Sequence, residues 1–406
     1  MVPRTASNQA RPASPPAWAV FAIFLRLGLT SFGGPVAHLG YFRNEFVERR
    51  QWMDDATFTD VVALCQFLPG PASSQVGIVI GMLRAGWAGS IAAWLGFTLP
   101  SALLLVAFGY GVSHFGALAA SGAVHGLKVV AVAVVAQAVW GMARSLCPDR
   151  TRAAIAIAAA LSTLALPTAA GQIGTIFASA AIGLLFLRLP GEPATHSALT
   201  GVTRRAGGLS LLVFALLLGG LLIASRWTGS PLLALVEGFY RSGALVFGGG
   251  HVVLPLLQAV VVPSGALGNA EFLAGYGVAQ AVPGPLFTFA AFLGTAMETE
   301  VRGWVGGMVF LVAIFLPAYL LVVGALPFWD ALRRRPRVRT AMAGVSAGMV
   351  GILLSALYDP IWTSAIHTRA DFGLALAAFG LLVQGRLSPF IVVVFAALGG
   401  WALALL

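Results

Sequence analysis

Apolar runs of membrane-crossing length alternate along this chain with short connections that carry most of its arginines. After a polar opening stretch rich in Pro, Ala and Ser, apolar segments cover about Trp18 to Tyr41, Ala56 to Leu83, Trp87 to Tyr110, Gly122 to Met142, Ala153 to Leu166 and Gly171 to Leu187. Gly208 to Ser225 follows, then Leu232 to Val262, Phe272 to Ala296, Val305 to Leu326, Thr340 to Tyr358, Phe372 to Val383 and Pro389 to Leu406. Taking each as one crossing gives an all-α polytopic membrane protein with about thirteen transmembrane segments.

Two of these runs carry the same interruption, Gln66-Phe67-Leu68-Pro69-Gly70-Pro71 and Gln280-Ala281-Val282-Pro283-Gly284-Pro285. The prolines remove two backbone donors and the glycine adds flexibility, so no helix passes through unbroken. Inside a bilayer, broken backbone persists only where it is buried in protein or lines a wet cavity, and transporters place binding sites at such breaks. The flanks match as well. Arg26-Leu-Gly28-Leu-Thr-Ser-Phe32-Gly33-Gly34 aligns with Arg241-Ser-Gly243-Ala-Leu-Val-Phe247-Gly248-Gly249, Gly86-Trp87 with Gly303-Trp304, and Pro100 with Pro317. The chain therefore reads as a duplication. Residues 17–190 form one repeat and 231–406 the other; 191–230 is a linker with one connecting helix, and 1–16 a disordered cytosolic tail without the apolar core of a signal peptide. The second repeat begins an odd number of crossings after the first, so it inserts upside down.

Hydrophobic residues make up 59% of the 406 and charged residues 9%, with mean hydropathy +0.90, which leaves no room for a soluble catalytic domain. A net charge of +10 would suit nucleic acid if the arginines formed one face, but they lie in clusters between apolar runs, and no nucleic acid is expected. The positive-inside rule places Arg144/Arg150/Arg152, Arg188/Arg204/Arg205 and Arg333-Arg334-Arg335-Pro-Arg337-Val-Arg339 in the cytosol with Met1, and Leu406 outside. One connection dissents. Arg43, Arg49 and Arg50 fall outside on this count, although Glu45, Glu48, Asp54 and Asp55 share their loop. Pro-Gly-Pro segments that turned back instead of crossing would set the second half against the rule. Cys65 and Cys147 make no metal spacing and read as small buried hydrophobes, Cys65 having site lining as its alternative.

An arginine at hydrocarbon depth is costly and by default functional. Arg26 has Ala22, not an acid, at the preceding turn, and is expected to bind an anion, with snorkelling as the alternative. Arg241 follows Glu237 at i,i+4, so a structural ion pair competes with binding there. Half-helices starting after Pro71 and Pro285 aim free amides and positive dipole ends at the breaks, which suits an oxyanion. Ser73, Ser74 and Thr288 either add hydroxyl donors or cap those helices. Gln66 and Gln280 end the preceding half-helices, where an amide binds substrate or ties down a carbonyl. The glycines Gly33, Gly34, Gly249 and Gly250 permit close backbone approach, whether to substrate or between helices. His38, His251, Asp60 and Glu237 are the candidates for carrying a coupling proton, and His125 and Lys128 are the other polar groups near the membrane. No metal or cofactor motif is present in the sequence, and neither a Walker loop nor a nucleophile elbow.

Phe32-Gly33-Gly34-Pro35-Val-Ala-His38 with Gln66-x-x-Pro69-Gly70-Pro71, and Phe247-Gly248-Gly249-Gly250-His251-x-x-x-Pro255-Leu256 with Gln280-x-x-Pro283-Gly284-Pro285, resemble the chromate ion transporter family in its long two-domain form. The resemblance covers nearly the whole chain. It implies a bacterial inner-membrane protein that exports chromate, with sulfate as a close analogue, driven by the proton-motive force and conferring chromate resistance. Residues alone leave open an anion channel, a sulfate or other anion carrier, and a membrane-embedded enzyme, although no redox or acid-base cluster supports the last. A homodimer is also left open.

Overall fold

The computed structural model describes residues 15–405, apart from 33, 115–121, 190–200, 248–249 and 386. Most of the expected 1–16 tail, Gly33, Gly249 and the end at Leu406 lie outside the described residues. These residues form helices and no strand. The first repeat consists of α1 (Ala17–Thr30), α2 (Gly34–Arg43), α3 (Asp55–Phe67), α4 (Ala72–His114), α5 (Gly122–Leu146), α6 (Arg150–Ala165) and α7 (Ala169–Phe186). Helix α8 (Arg204–Thr228) connects it to α9 (Pro231–Leu245), α10 (Val253–Val261), α11 (Asn269–Ala281), α12 (Phe289–Ala296), α13 (Gly303–Ala325), α14 (Pro336–Ala356), α15 (Arg369–Val383) and α16 (Pro389–Leu403). Among the described residues six helices, α4, α5, α7, α8, α13 and α14, are long and apolar enough to cross a membrane. Polar residues in the connections cap many of them: Asp54 accepts from the Thr57 amide, Asp149 from Arg152, Thr168 from Gly171, and Thr368 and Asp371 form a capping box on α15.

Four of the segments counted as crossings fold back on themselves. In the first, the segment closes on α1 through its rings, with Phe24 of α1 edge-on to Phe42 of α2 at 5.6 Å and stacked on Phe46, just past α2, at 5.1 Å. Its counterpart pairs α9 with α10, where a Cβ built on Gly238 would stand 2.4 Å from Val260 Cγ1. The Pro-Gly-Pro segments do the same. Arg84, late in the first part of α4, places its guanidinium 5.2 Å from the ring centre of Trp52, which precedes α3. In the second repeat the Glu298 amide, just past α12, donates to Ala266 O, just before α11, at 2.9 Å.

Both ends of each broken segment thus share one face, and Pro-Gly-Pro is the tip of a hairpin. A 13-residue arm such as α3 is about 20 Å long, short of the ~30 Å hydrocarbon core, so it does not span that core alone. Helix α4 in turn is two helices, bent at Ala85 and Gly86, whose φ of +59° marks the reversal. Across that bend Gly81 and Gly89 pack backbone to backbone, and Gly294 and Gly306 repeat the contact between α12 and α13.

The repeats are interlocked. Helix α5 of the first packs on α15 and α16 of the second, and α14 of the second packs on α6 and α7 of the first, with Gly126 against Ala396 in one pairing and Gly351 against Ala156 in the other. Reciprocal contacts of this kind are what an approximate two-fold axis produces.

Candidate functional site

The four hairpin tips converge. The Gly70 amide donates to Val246 O at 2.7 Å, and the Gly284 amide donates to Ser31 O at 3.0 Å. Each Pro-Gly-Pro tip is therefore bonded to the other repeat's Phe-Gly-Gly tip. Glycine is required at both donors. Gly70 and Gly284 have φ of +123° and +102°, and a Cβ would lie 2.7 Å from Ala318 Cβ at the first and 2.9 Å from Ser101 Oγ at the second. Ala318 and Ser101 follow the matched prolines Pro317 and Pro100, so each tip seats at a proline inside the other repeat's long helix.

Around the tips lie polar groups that the apolar surroundings do not explain. Buried side-chain atoms without a hydrogen-bond partner include Ser31 Oγ, Ser74 Oγ, Gln75 Oε1, Thr98 Oγ1 and Gln280 Nε2. Orphan groups are costly unless a ligand or water satisfies them. Ser74 is in the first turn of α4, where the first intrahelical bond runs from the Gln75 amide to Pro71 O at 3.0 Å, so the preceding amides are available to a ligand. At the other break a short turn over Leu286–Thr288 precedes α12. The Thr288 hydroxyl does not cap α12; it bonds back to Pro285 O at 2.7 Å.

The histidines occupy different places, because His38 aligns with Val253 and not with His251. His38 is buried, with Nε2 3.1 Å from Ser31 O and Nδ1 3.3 Å from Ser73 Oγ. A carbonyl only accepts, so Nε2 carries the proton in the neutral ring and the Ser73 hydroxyl donates to Nδ1. His251 Nδ1 lies 2.9 Å from the Tyr276 hydroxyl on α11, one turn before Gln280, whose Nε2 is unpartnered.

The two arginines also differ. Arg241 is held by Glu237 through two bonds, 2.6 and 3.2 Å, the structural pair that i,i+4 spacing suggests. Arg26 is exposed and makes no ion pair among the described residues, on the face of α1 opposite buried Phe24, five residues before Ser31. Gln66 is exposed on α3 and Asp60 buried on it. Pro69, Pro71, Pro283 and Pro285 flank the tip glycines, Gly250 lies beside Pro35, and Gly34 opens α2 with φ +76°. Cys65 is buried and Cys147 half-buried, both free thiols. Among the described residues no His, Cys, Asp and Glu cluster could hold a metal. Sequence reasoning missed Ser31, Gln75, Thr98, Ser101 and Tyr276; only Ser31, inside the aligned motif, carried a signal.

Two repeats whose broken hairpins meet tip to tip define a polytopic helical membrane protein of the transporter class. The chromate transporter family matches residues 18–185 and 233–401, and the chain belongs to that family. It is similar to the chromate transport protein of Pseudomonas aeruginosa, 28% identical over 412 residues that span 98% of this chain and 96% of that protein. A probable chromate transport protein of Synechococcus elongatus is 29% identical over 389 residues, spanning 93% of each chain. The chromate transport protein of Cupriavidus metallidurans is 29% identical over 384 residues, 93% of this chain and 90% of that protein. No solved structure matches the chain.

Proposed function

We propose that this protein is a secondary carrier that moves chromate outward across a bacterial inner membrane, with the four hairpin tips as its binding site. The observation that carries this reading is the reciprocal pair of tip bonds, Gly70 to Val246 and Gly284 to Ser31, which brings two helix amino ends and several unpaired polar atoms to one place. Chromate is a tetrahedral dianion, and converging amides and hydroxyls match its oxygens without a metal. Export runs with the electrical gradient, about 2.3 kcal/mol per charge per 100 mV. A proton carried through His38 or the His251–Tyr276 pair would couple the cycle to the proton-motive force. Sulfate, with the same shape and charge, is the natural competitor.

Hairpins in place of crossings also resolve the arginine distribution. With four segments turning back, about nine crossings remain, and the two repeats still enter from opposite faces because α8 crosses between them. The loop of Arg43, Arg49 and Arg50 then joins Met1, Arg84, Arg150, Arg188 and Arg335 on the cytosolic face. Among the described residues only Arg226, Arg302 and Arg369 are left at the connections of the opposite face. The earlier objection to returning Pro-Gly-Pro segments disappears, since each repeat contains two hairpins and the parity is kept.

Two measurements test these statements. A cysteine at Gln51 in a background lacking Cys65 and Cys147 should react with an impermeant thiol reagent from the cytosolic side only; reaction from outside would restore the thirteen-crossing count. Cysteines at Ala72 and Leu286 should be protected by saturating chromate, at least tenfold in labelling rate for a site occupied about 90% of the time or more. Unchanged labelling at both would make the tips structural and move the site elsewhere.

A further inference from the structure

Away from the tips, at the opposite ends of the α9–α10 and α11–α12 hairpins, a cavity of about 340 Å³ is lined by Thr163, Gln172, Gln258, Asn269, Ser355 and Asp359, among others. Its walls come from both repeats: α6 and α7 of the first, α10, α11 and α14 of the second. We propose that this cavity binds a partly hydrated monovalent alkali cation, held by the Asp359 carboxylate and Gln172 Oε1.

The chemistry of the wall is one-sided. Gln172 is 6% exposed, its Nε2 donates to Pro255 O at 3.3 Å, and its Oε1 has no partner. Flipping the amide would set Oε1 against the Pro255 carbonyl, so the orientation is fixed and an acceptor is left over. The two hydroxyls have turned their protons away: Thr163 Oγ1 donates to Ala159 O at 2.8 Å and Ser355 Oγ to Ile352 O at 2.9 Å, which leaves lone pairs for the cavity. Each of the two other amides spends one of its two N–H donors within the wall. Gln258 Nε2 donates to Asn269 Oδ1 at 2.6 Å, and Asn269 Nδ2 to Ser364 Oγ at 2.7 Å. Asp359 adds a carboxylate that accepts a 3.2 Å bond from Thr363, and among the described residues no Lys, Arg or His lines the space.

Such a wall repels an oxyanion and suits a cation. One carboxylate among neutral oxygens matches a single positive charge, whereas calcium or magnesium sites draw on more anionic ligands or substrate phosphates. A volume of about 340 Å³ is room for roughly ten waters, so the ion keeps part of its hydration shell. A bound cation would tie the outer ends of two hairpins to the scaffold helices, and its binding does not depend on what the tips carry.

The test uses the whole detergent-solubilised protein, with unfolding midpoints measured in sodium, potassium, lithium and choline chloride at equal ionic strength. One alkali ion should raise the midpoint saturably, by roughly 3–5 °C over choline at a hundredfold excess over its dissociation constant. Asp359→Asn and Gln172→Leu should each abolish the rise, and Gln172→Glu should shift saturation to at least tenfold lower concentration. Midpoints equal in alkali and choline salts overturn the proposal, as does a full rise retained by both loss variants. If those two fail to fold, the wild-type ion series and Gln172→Glu decide it: an unshifted saturation curve in Gln172→Glu counts against the site.

Discussion

Gly70→Ala is expected to reduce chromate transport by about 10- to 100-fold while leaving the protein inserted in the membrane. The backbone conformation at φ +123° is available to glycine and strains any other residue by about 1–3 kcal/mol, and the new methyl would stand 2.7 Å from Ala318 Cβ. Relief of that clash moves the tip away from Val246, and with it the Gly70 amide bond of 2.7 Å that joins the repeats. About 1.4 kcal/mol is a factor of ten in rate if the closed arrangement of tips is needed for transport, which sets the range. Gly284→Ala should behave alike, with Ser101 Oγ as the obstructing atom. Companion changes separate the two causes. Ala318→Gly beside Gly70→Ala, or Ser101→Gly beside Gly284→Ala, removes the nearest collision but neither the strained φ nor the contacts with Gln75 Nε2 and Phe97 O, so recovery should be partial. Gly40→Ala, where nothing lies within 4 Å of the added atom, is the control and should transport normally. Initial rates of labelled chromate uptake into inside-out vesicles, normalised to inserted protein, supply the numbers. A wild-type rate for both Gly70→Ala and Gly284→Ala would show that the tips need not meet.

The duplication and the breaks were legible in the sequence because proline and glycine act locally, on one helix's own hydrogen bonds. What the breaks do to the path of the chain was not legible. An interrupted apolar run of 28 residues, such as Ala56 to Leu83, has the hydropathy of a crossing whether it continues or returns, and only contacts between its ends, Trp52 with Arg84 or Ala266 with Glu298, tell the two apart. The same holds for the run from Trp18 to Tyr41, whose Phe32-Gly33-Gly34-Pro35 stretch marks an interruption without saying which way the chain leaves it. The arginines at 43, 49 and 50 are the one sequence-level sign that favours the proposed return of the chain before them. Exchange of helices between repeats left no trace at all, since the small residues that permit it, Gly126 and Gly351, look like any other membrane glycine. At the site, the aligned motifs located the tips, while Gln75, Thr98 and Ser101 reach them from helices whose relation to the tips depends on tertiary packing.

That packing separates two arginines which the aligned motifs treat as equivalents, and it sets the last expected result. Arg26→Gln should lower chromate transport by roughly 10- to 100-fold, the effect of losing a charge-assisted hydrogen bond worth about 1.5–3 kcal/mol, while Arg26→Lys should fall between that variant and wild type. Arg26 is free to engage an anion approaching the tips from the exposed face of α1, whereas the Arg241 guanidinium already spends two donors on Glu237. Neutralising Arg241 alone leaves the buried Glu237 carboxylate uncompensated and should damage the protein through that charge. Neutralising both members should therefore restore most of the activity lost in Arg241→Gln. On that outcome the paired arginine holds α9 in place, and the proposed site draws its charge complement from Arg26 and the amino ends of α4 and α12. Transport measured for Arg26→Gln, Arg241→Gln and the Glu237→Gln/Arg241→Gln pair distinguishes the arrangements. A double variant as inactive as Arg241→Gln would put Arg241 in contact with the anion, and a fully active Arg26→Gln would leave the helix ends and the unpaired hydroxyls of Ser31 and Ser74 as the groups that hold it.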